Sequence, residues 1–326
     1  MNKRMGIAIA IFSTIFFLGS EQADAQFSNN IRIIDEKRLT NEQEHRSGMQ
    51  FTPEGNKIFY IKKDGIWSLE LKEPFEEKIF LNLTDGFVHD FRINSDGKQF
   101  VWIKITTIGD IKRTGSSSLL ISDLEALSTS ELLKFDYWAL LGTDWTPDGK
   151  EIVYQFGPDV WISNSDGSNK RFITRIDNVA APLQLGPDGK TILVSTYSSD
   201  YPHPQNIVMA TLDGRQQILL EGSSVADYWA PVLSPDGSKL LFVQRNSLKD
   251  FDIMISEPDG SNKMALISSL DDGSSIDITS DGNKIVYQKD KNIWLATLSQ
   301  SIPELPLVQI VLTASIIAVL FTGFRR

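Results

Sequence analysis

The residue types that most often carry chemistry in enzymes are scarce in this chain. Its 326 residues include no cysteine and only three histidines, His45, His89 and His203. Disulfides, thiolate metal sites and cysteine nucleophiles are therefore excluded. The sequence also lacks the Gly-x-Ser-x-Gly turn that presents a hydrolase nucleophile. The formal net charge of −10 opposes binding to a phosphate backbone, so nucleic acid is not predicted as a partner.

Carboxylates and amides remain, and they recur at one position of a repeated pattern. Three residues before the second residue of six similar turns stand Gln50, Arg92, Asp144, Gln184, Val232 and Asp277. The two acids and two amides could bind a cation such as calcium, which takes roughly six to eight oxygen ligands. The arginine and the acids could instead neutralise one another around a wet channel, because buried charges usually pair. This second interpretation is favoured. No catalytic residue and no cofactor is therefore predicted, with calcium as the alternative.

The turns that define this pattern indicate how the chain is organised. Proline sets φ at the first corner of a tight turn and glycine accepts a positive φ, so each copy predicts a reversal between two strands. The glycines of successive copies are 42, 52, 40, 48 and 45 residues apart. The six copies are Thr52-Pro53-Glu54-Gly55, Asn94-Ser95-Asp96-Gly97, Thr146-Pro147-Asp148-Gly149, Gly186-Pro187-Asp188-Gly189, Ser234-Pro235-Asp236-Gly237 and Thr279-Ser280-Asp281-Gly282.

A run of β-branched and aromatic residues follows each turn, as in Ile58-Phe59-Tyr60 and Ile152-Val153-Tyr154. Such runs are typical of strands buried on both faces. The 276 residues from 26 to 301 give 46 residues per unit, close to the roughly 40–45 of a propeller blade. We therefore predict an all-β fold, a six-bladed β-propeller over residues 26–301. The last unit lacks its fourth strand, which residues 31–40 are predicted to supply.

The turn and the strand after it resemble the WD40-like repeat of the TolB propeller family. The resemblance rests on Ser/Thr-Pro-Asp-Gly followed by two apolar residues and an aromatic one, as in Thr146-Pro147-Asp148-Gly149 with Ile152-Val153-Tyr154. The propeller domains of prolyl oligopeptidase and dipeptidyl peptidase enzymes carry similar repeats. The resemblance implies a TolB-like, six-bladed propeller in this chain.

Aromatic and ionisable residues cluster in loops that share one rim of the predicted propeller. Binding residues collect on loops of a rigid scaffold, and Trp and Tyr provide a large contact area at low entropic cost. This rim is therefore predicted to bind a protein or a carbohydrate. The alternative for Trp138 and Trp229 is that they fill the space between neighbouring blades. The predicted rim residues are His89, Tyr137, Trp138, Tyr201, His203, Asp227, Tyr228 and Trp229.

The N-terminal segment has the order of a secretory signal peptide. Lys3 and Arg4 precede an apolar run over residues 5–19, and Ala23-Asp24-Ala25 provides a small-x-small cleavage site. Residues 1–25 are therefore predicted to direct export.

The C-terminal segment predicts a membrane anchor. Residues 305–324 carry no charged side chain, and Arg325-Arg326 closes the run. This is long enough for a transmembrane helix, and the positive-inside rule puts the two arginines in the cytoplasm. Residues 302–326 as a whole resemble sorting signals of the PEF-CTERM type, handled by archaeal or bacterial exosortase-like enzymes. The resemblance implies display of the propeller on the cell surface.

Together these features favour a surface-displayed, membrane-anchored binding or scaffold protein without catalysis of its own. Its predicted partner is a protein or a carbohydrate at the cell envelope. The alternative is a calcium-dependent hydrolase of the lactonase type, with the metal in the propeller tunnel. Asn82 opens the sequon Asn82-Leu83-Thr84 and is a candidate for N-glycosylation.

Overall fold

The computed structural model describes residues 31–42, 44–107, 115–125, 128–180, 182–199, 203–247, 250–270 and 275–300. The chain divides into two compact units, and the larger, Asp35–Thr297, contains the candidate site. The structure describes residues 31–34 and 298–300 of the smaller unit. The predicted signal peptide (residues 1–25) and the predicted anchor (residues 302–326) lie outside the described residues.

Six four-stranded antiparallel sheets account for all named strands of the described chain. In sheets 1 to 3 the strands follow one another in chain order from one edge of the sheet to the other. Their bounds are β2 (Ser47–Phe51), β3 (Lys57–Lys62), β4 (Gly65–Glu70) and β5 (Glu77–Asn82) in sheet 1, β6 (Phe87–Ile93), β7 (Gln99–Thr107), β8 (Gly115–Asp123) and β9 (Thr129–Phe135) in sheet 2, and β10 (Leu140–Trp145), β11 (Glu151–Phe156), β12 (Asp159–Asn164) and β13 (Arg171–Arg175) in sheet 3.

Sheets 4 and 5 repeat this order, whereas sheet 6 takes its fourth strand from the start of the described chain. The order in sheet 6 is β22-β23-β24-β1. The bounds are β14 (Gln184–Leu185), β15 (Thr191–Tyr197), β16 (Gln205–Thr211) and β17 (Gln216–Leu220) in sheet 4, β18 (Asp227–Leu233), β19 (Leu240–Ser247), β20 (Asp250–Ser256) and β21 (Met264–Leu270) in sheet 5, and β22 (Ile276–Ile278), β23 (Lys284–Lys289), β24 (Asn292–Gln300) and β1 (Ile31–Arg38) in sheet 6.

The first strand of each sheet lies next to the first strands of its neighbours. Strand β2 contacts both β6 and β22, and β10 contacts both β6 and β14. The prediction of an all-β, six-bladed propeller is therefore confirmed. Apolar side chains fill the space between adjacent sheets. Between sheets 3 and 4, for example, Val153 and Val160 pack with Ile192 and Val194, which explains why the second and third strands are apolar on both faces.

The six turns adopt one geometry. Each connects the first strand of a sheet to the second, and the N–H of its glycine donates to the carbonyl oxygen three residues earlier at 2.7–3.0 Å. The glycines have φ between +63° and +71°, a region that favours a residue without Cβ. The repeated motif is thus a single turn made six times.

Residues 36–40 fasten the start of the described chain to sheet 6. The N–H of Leu39 donates to the carbonyl oxygen of Ile293 at 2.8 Å. The hydroxyl of Thr40 accepts the N–H of Ile293 at 3.0 Å, and the Tyr287 hydroxyl donates to Glu36. These bonds join residues about 250 positions apart, in a seam that also holds buried Leu39 in the core.

Candidate binding site

The polar positions that recur in the sequence occupy equivalent places on the innermost strands. Gln50 lies opposite Phe59 in sheet 1, and Arg92 lies opposite Val101 in sheet 2. The other four members take the same register in β10, β14, β18 and β22. The repeat therefore does bring these side chains to one level of the tunnel.

Three of these side chains bind the backbone of a neighbouring sheet. In each case the donor N–H belongs to the residue that follows the equivalent position of the next sheet around the ring. The three bonds join Gln50 Oε1 to the N–H of Ile93 at 2.8 Å, Asp144 Oδ2 to that of Leu185 at 2.7 Å, and Asp277 Oδ2 to that of Phe51 at 2.7 Å. The position thus ties innermost strands together, a structural task that the sequence analysis did not predict.

Arg92 cannot accept an N–H, and its sheet is joined to the next by other contacts. Its Nη1 donates to Asp90 Oδ1 and to the carbonyl oxygen of Phe91, both at 2.8 Å. The other carboxylate oxygen of Asp90, a residue only 2% exposed, accepts the N–H of Thr143 at 3.0 Å. Trp145 Nε1 donates to the carbonyl oxygen of Arg92 at 3.0 Å. The hydrogen bonds from Thr143 and Trp145 therefore link β10 to β6, while the Arg92–Asp90 ion pair lies within β6.

The tunnel carboxyl groups have raised pKa values. Burial raises the pKa of Asp144 to about 6 and that of Asp277 to about 7, although the Arg92 guanidinium acts in the opposite direction on both. Burial also raises the pKa of Asp90. Asp144 and Asp277 each accept hydrogen bonds from two backbone N–H groups. Their oxygens are therefore already satisfied by the protein.

A cavity of about 230 Å³ lies in the tunnel. Side chains of the tunnel set and of the predicted rim set meet in its wall, namely Gln50, His89, Arg92, Gln184, Trp229 and Asp277. Among the described residues, no group of three or more His, Asp or Glu is arranged to hold a metal ion. The carboxylates in the cavity wall are Asp90 and Asp277, and Asp90 is paired with Arg92, so these residues supply few of the oxygen ligands that calcium requires.

A larger depression of about 730 Å³ opens between sheets 1 and 2 and shares Ser47 and Ile61 with the tunnel cavity. We call it the rim groove. Its wall includes His45, Ser47, Lys63, Phe87, Thr107 and Trp138. These residues come from the ends of strands β3 and β7 and from segments at or before the starts of β2, β6 and β10. The groove therefore lies on the rim that the sequence analysis assigned to binding.

Buried charges hold the floor of the rim groove in place. The side chain of Lys62 is 5% exposed, and its Nζ lies 2.7 Å from Glu44 Oε2 and 4.0 Å from the ring centre of Trp67. Fully buried Arg46 donates to both carboxylate oxygens of Glu77 at 2.9 Å. It also donates to the carbonyl oxygen of Lys291 in sheet 6 at 3.0 Å. Every charge in this floor therefore has an opposite partner.

Trp138 forms one wall of the rim groove and is held there by its neighbours. Its ring centre lies 6.0 Å from that of Phe87 and 5.5 Å from that of His89, with the planes nearly perpendicular. The buried hydroxyl of Ser117 donates to the carbonyl oxygen of Tyr137 at 2.8 Å and accepts the N–H of Ala139 at 3.2 Å. Trp138 still exposes 36% of its surface, and Tyr137 exposes 55%. Both interpretations of Trp138 thus have support, since it fills the space between sheets 2 and 3 and remains open to solvent.

The other predicted rim residues are distributed differently. Asp227 and Tyr228 lie inside strand β18, not in the loop before it, and are only 5% and 7% exposed. Asp227 is bound by Arg245 and by the N–H of Gln205, and Tyr228 packs against Phe242 in the core. These two side chains do not face the rim surface.

Trp229 lines the tunnel cavity, and its ring centre lies 5.4 Å from that of Phe251. His203 is exposed in the loop between β15 and β16, and its Nδ1 lies 3.1 Å from the carbonyl oxygen of Ser198. Tyr201 lies outside the described residues. Asn82, the glycosylation candidate, is exposed at the end of β5.

The sequence analysis missed the basic half of the rim groove. His45, Lys62 and Lys63 precede β2 or end β3, so the blade pattern already placed them on the binding rim. The adjacent pair Lys62-Lys63 was the available signal. Aromatic side chains alone do not mark this half of the groove.

The predicted membrane anchor has no counterpart among the residues that the structure describes, where no helix is long and apolar enough to cross a bilayer. The predicted segment itself, residues 302–326, is not among them.

No protein-family model matches the chain, and no curated protein matches it. Solved structures do share its fold. A protein assigned as TolB from Agrobacterium tumefaciens is 17% identical with a TM-score of 0.60, and the match covers 82% of this chain and 95% of that one. An oligogalacturonate lyase in complex with manganese is 18% identical with a TM-score of 0.55, covering 81% and 80%. TolB from Acinetobacter baumannii is 15% identical with a TM-score of 0.55, covering 79% and 65%. At these identities the likeness shows the TolB-like propeller fold alone.

Proposed function

We propose that this propeller is a binding module without catalysis of its own, and that it recognises a protein or carbohydrate partner through the rim groove. In the living cell the propeller is exported and held at the cell surface by the C-terminal segment. This localisation rests on the two terminal sequence patterns, because both segments lie outside the described residues.

The observation that carries the proposal is the exposed, fixed pair Tyr137-Trp138 beside a concave groove. Ligand sites are usually concave, of roughly 300–1,000 Å³, and combine aromatic walls with a few polar groups. The rim groove fits this description in volume and lining. The bonds from Ser117 hold the aromatic pair in place before any partner arrives. Such preorganisation lowers the entropic cost of binding.

The tunnel supports the proposal because most of its polar side chains are already engaged within the protein. Gln50, Asp144 and Asp277 are engaged with backbone N–H groups, and Arg92 is engaged with Asp90. A side chain that is already bonded to a neighbouring sheet is poorly suited to bind and release a substrate. The groups that remain accessible are those of the rim.

The alternative function is a hydrolase with its reaction centre in the tunnel. One observation favours it: Asp144 and Asp277 have pKa values of about 6 and about 7, in the range useful for proton transfer near neutral pH. The structural likeness to an oligogalacturonate lyase in complex with manganese is compatible with it. A lactonase-like hydrolase would require calcium as its metal.

The binding proposal is tested by crosslinking on intact cells that express the full chain, followed by mass spectrometry of the captured partners. Tyr137→Ala combined with Trp138→Ala should abolish the specific crosslinks, because the double variant removes the exposed aromatic surface. Phe172→Ala is the matched control, since Phe172 is 51% exposed on an outer strand away from the groove. Retention of the same partners by the double variant would contradict the proposal.

Calorimetric titration of the full chain with calcium separates the two functions. The binding proposal predicts no saturable heat. Saturable calcium binding that disappears in Asp144→Ala combined with Asp277→Ala would favour the hydrolase. Circular dichroism of that double variant is needed as a control, because both aspartates also join sheets.

A further inference from the structure

We propose that the rim groove binds a sugar chain that carries carboxylate groups. This inference rests on the proposed function, since it names the ligand class of the same site. It is argued from the charge of the groove, from its aromatic wall and from its shape.

The charge of the groove differs from that of the whole chain. Lys62 is neutralised by Glu44 at 2.7 Å, and Glu77 lies 3.7 Å from the same ammonium. Lys63 is exposed and forms no ion pair with any described residue. It therefore supplies an uncompensated positive charge in the wall of the groove, on a chain whose net charge is −10. An ammonium in that position favours an anionic group, and a carboxylate bonded to it makes a charge-assisted hydrogen bond.

The aromatic wall suits the flat face of a sugar ring. The negative face of an indole attracts the weakly positive C–H groups that line one face of a pyranose. Trp138 is 36% exposed, and Phe87 and His89 pack beside it. Hydroxyls of Ser47 and Thr107 and the imidazole of His45 stand in the same wall, within a groove that also includes Lys63. Polar donors and acceptors of this kind match the hydroxyl groups of a sugar.

The shape of the groove argues against a folded protein and against an extended peptide as its partner. A folded protein usually contacts roughly 20–30 residues over about 800 Å², whereas ten residues line this depression. A peptide that binds as an added strand needs a free sheet edge. Strands β3 and β7, which end at the groove, are each paired on both sides within their sheets. A chain of a few sugar rings is therefore the favoured occupant.

The test uses the purified full chain and two matched pairs of oligosaccharides in isothermal titration calorimetry. The first pair is β-1,4-linked tetraglucuronate and cellotetraose, which differ only in the carboxylate at C6. The second is sialyllactose and its methyl ester, which differ in the charge of the one carboxyl group. We expect at least one acidic member to bind at least tenfold more tightly than its neutral counterpart. Raising sodium chloride from about 0.05 M to about 0.5 M should weaken that binding, because salt screens the Lys63–carboxylate attraction.

Lys63→Glu should remove the preference for the acidic sugar and weaken its binding more than tenfold. Lys150→Glu is the matched control, since Lys150 is 80% exposed in a turn between the first two strands of sheet 3, at the other end of these strands from the rim. It should leave binding unchanged. The chain should stay folded in both variants, because both lysines are exposed.

Equal binding of acidic and neutral sugars, or an unchanged affinity in Lys63→Glu, would overturn the inference. Binding of a neutral sugar more tightly than its acidic counterpart, with that binding lost in Trp138→Ala, would overturn the inference but retain the proposed function. Tighter binding of hexaglutamate than of either acidic sugar would also overturn it, in favour of an acidic peptide. If no sugar binds, the inference fails, and the crosslinking experiment decides the proposed function independently.

Discussion

The tunnel and the rim groove both carry polar and charged side chains, yet these side chains have different roles in the two regions. Gln50, Asp144 and Asp277 in the tunnel accept backbone N–H groups of neighbouring sheets. Lys63 and Trp138 in the groove leave part of their surface open to solvent. Polar character alone therefore does not identify a site in this fold. A side chain becomes available for a ligand only where the scaffold does not already use it.

This difference has a physical origin in the position of each region along the strands. At the tunnel, six strands converge, and the backbone groups on their inner edges need partners that only side chains can supply. At the rim groove, strands β3 and β7 end, and each is paired on both sides within its sheet. Exposed side chains there, such as Lys63 and Trp138, are therefore less needed to satisfy backbone groups. Substitutions in the tunnel should therefore act mainly on stability, whereas substitutions in the groove should weaken binding.

The largest expected effect is a pH dependence of stability that originates in the tunnel. The pKa values of Asp144 and Asp277, about 6 and about 7, exceed the value near 3.9 of an unfolded chain. Between pH 4 and pH 7 the folded chain therefore binds more protons than the unfolded chain, and the free energy of unfolding falls as pH rises. We expect a loss of roughly 4 kcal/mol between pH 5 and pH 8, since Asp144 titrates over about one pH unit of this range and Asp277 over about two, at about 1.4 kcal/mol per unit. Urea unfolding of the full chain at a series of pH values measures it.

Asp277→Asn is the control for this pH dependence, because an amide cannot titrate. Its unfolding free energy should change less between pH 5 and pH 8 than that of the parent chain. The turn aspartates act in a different window: hydrogen bonds from Thr146 and Thr279 lower the pKa values of Asp148 and Asp281. Their contribution is lost only as pH falls below about 4. A slope between pH 5 and pH 8 that persists in Asp277→Asn and in Asp144→Asn would show that it comes from elsewhere.

The second effect is the loss of a bond between sheets 6 and 1. Asp277→Ala removes the acceptor of the Phe51 and Ile278 N–H groups. Leaving buried donors without an acceptor should lower the free energy of unfolding at pH 5 by about 2 kcal/mol. Asp177→Ala, at an aspartate whose side chain is 65% exposed, should change it by less than about 0.5 kcal/mol. An equal loss of unfolding free energy in the two variants would show that the tunnel position does not hold the sheets together.

The third effect concerns the groove. Trp138→Ala should weaken ligand binding at least tenfold, about 1.4 kcal/mol, because an exposed aromatic anchor is lost. The free energy of unfolding should also fall, by about 2 kcal/mol, because the part of Trp138 that is not exposed packs against Phe87 and His89. Calorimetric titration and urea unfolding on the same preparation give both values. A large stability loss with unchanged affinity would mean that Trp138 only fills space between sheets.

The smallest effect comes from the support of the aromatic pair. Ser117→Ala deletes the hydroxyl that binds the backbone on both sides of Trp138. We expect a loss of about 1 kcal/mol in the free energy of unfolding and a few-fold weaker affinity. Ser117→Thr keeps a hydroxyl and should recover the affinity if the position of the loop is what matters. An affinity that is unchanged in Ser117→Ala would show that the aromatic pair keeps its position without this bond.

The fold was predictable because its signals are local. Each turn requires a proline or a polar residue followed by a glycine with positive φ, and each following strand carries its own apolar run. The rim was harder to predict. Strand β18 begins at Asp227, because Asp227 pairs with Arg245 across the sheet, so residues expected in a loop are inside the sheet. The groove escaped prediction because segments around residues 45, 63, 87, 107 and 138 meet only in the folded chain.

The seam in sheet 6 sets the order of events when the polypeptide is made. Thr40 and Asn292, which bond side chain to side chain, are separated by 252 positions. The segment synthesised early must wait for partners that emerge last, so the ring cannot be completed until nearly the whole propeller has been translated. Contacts between such distant residues slow folding. During that interval strand β1 has no neighbour, and a cell that makes this protein must shield it from pairing with strands of other nascent copies.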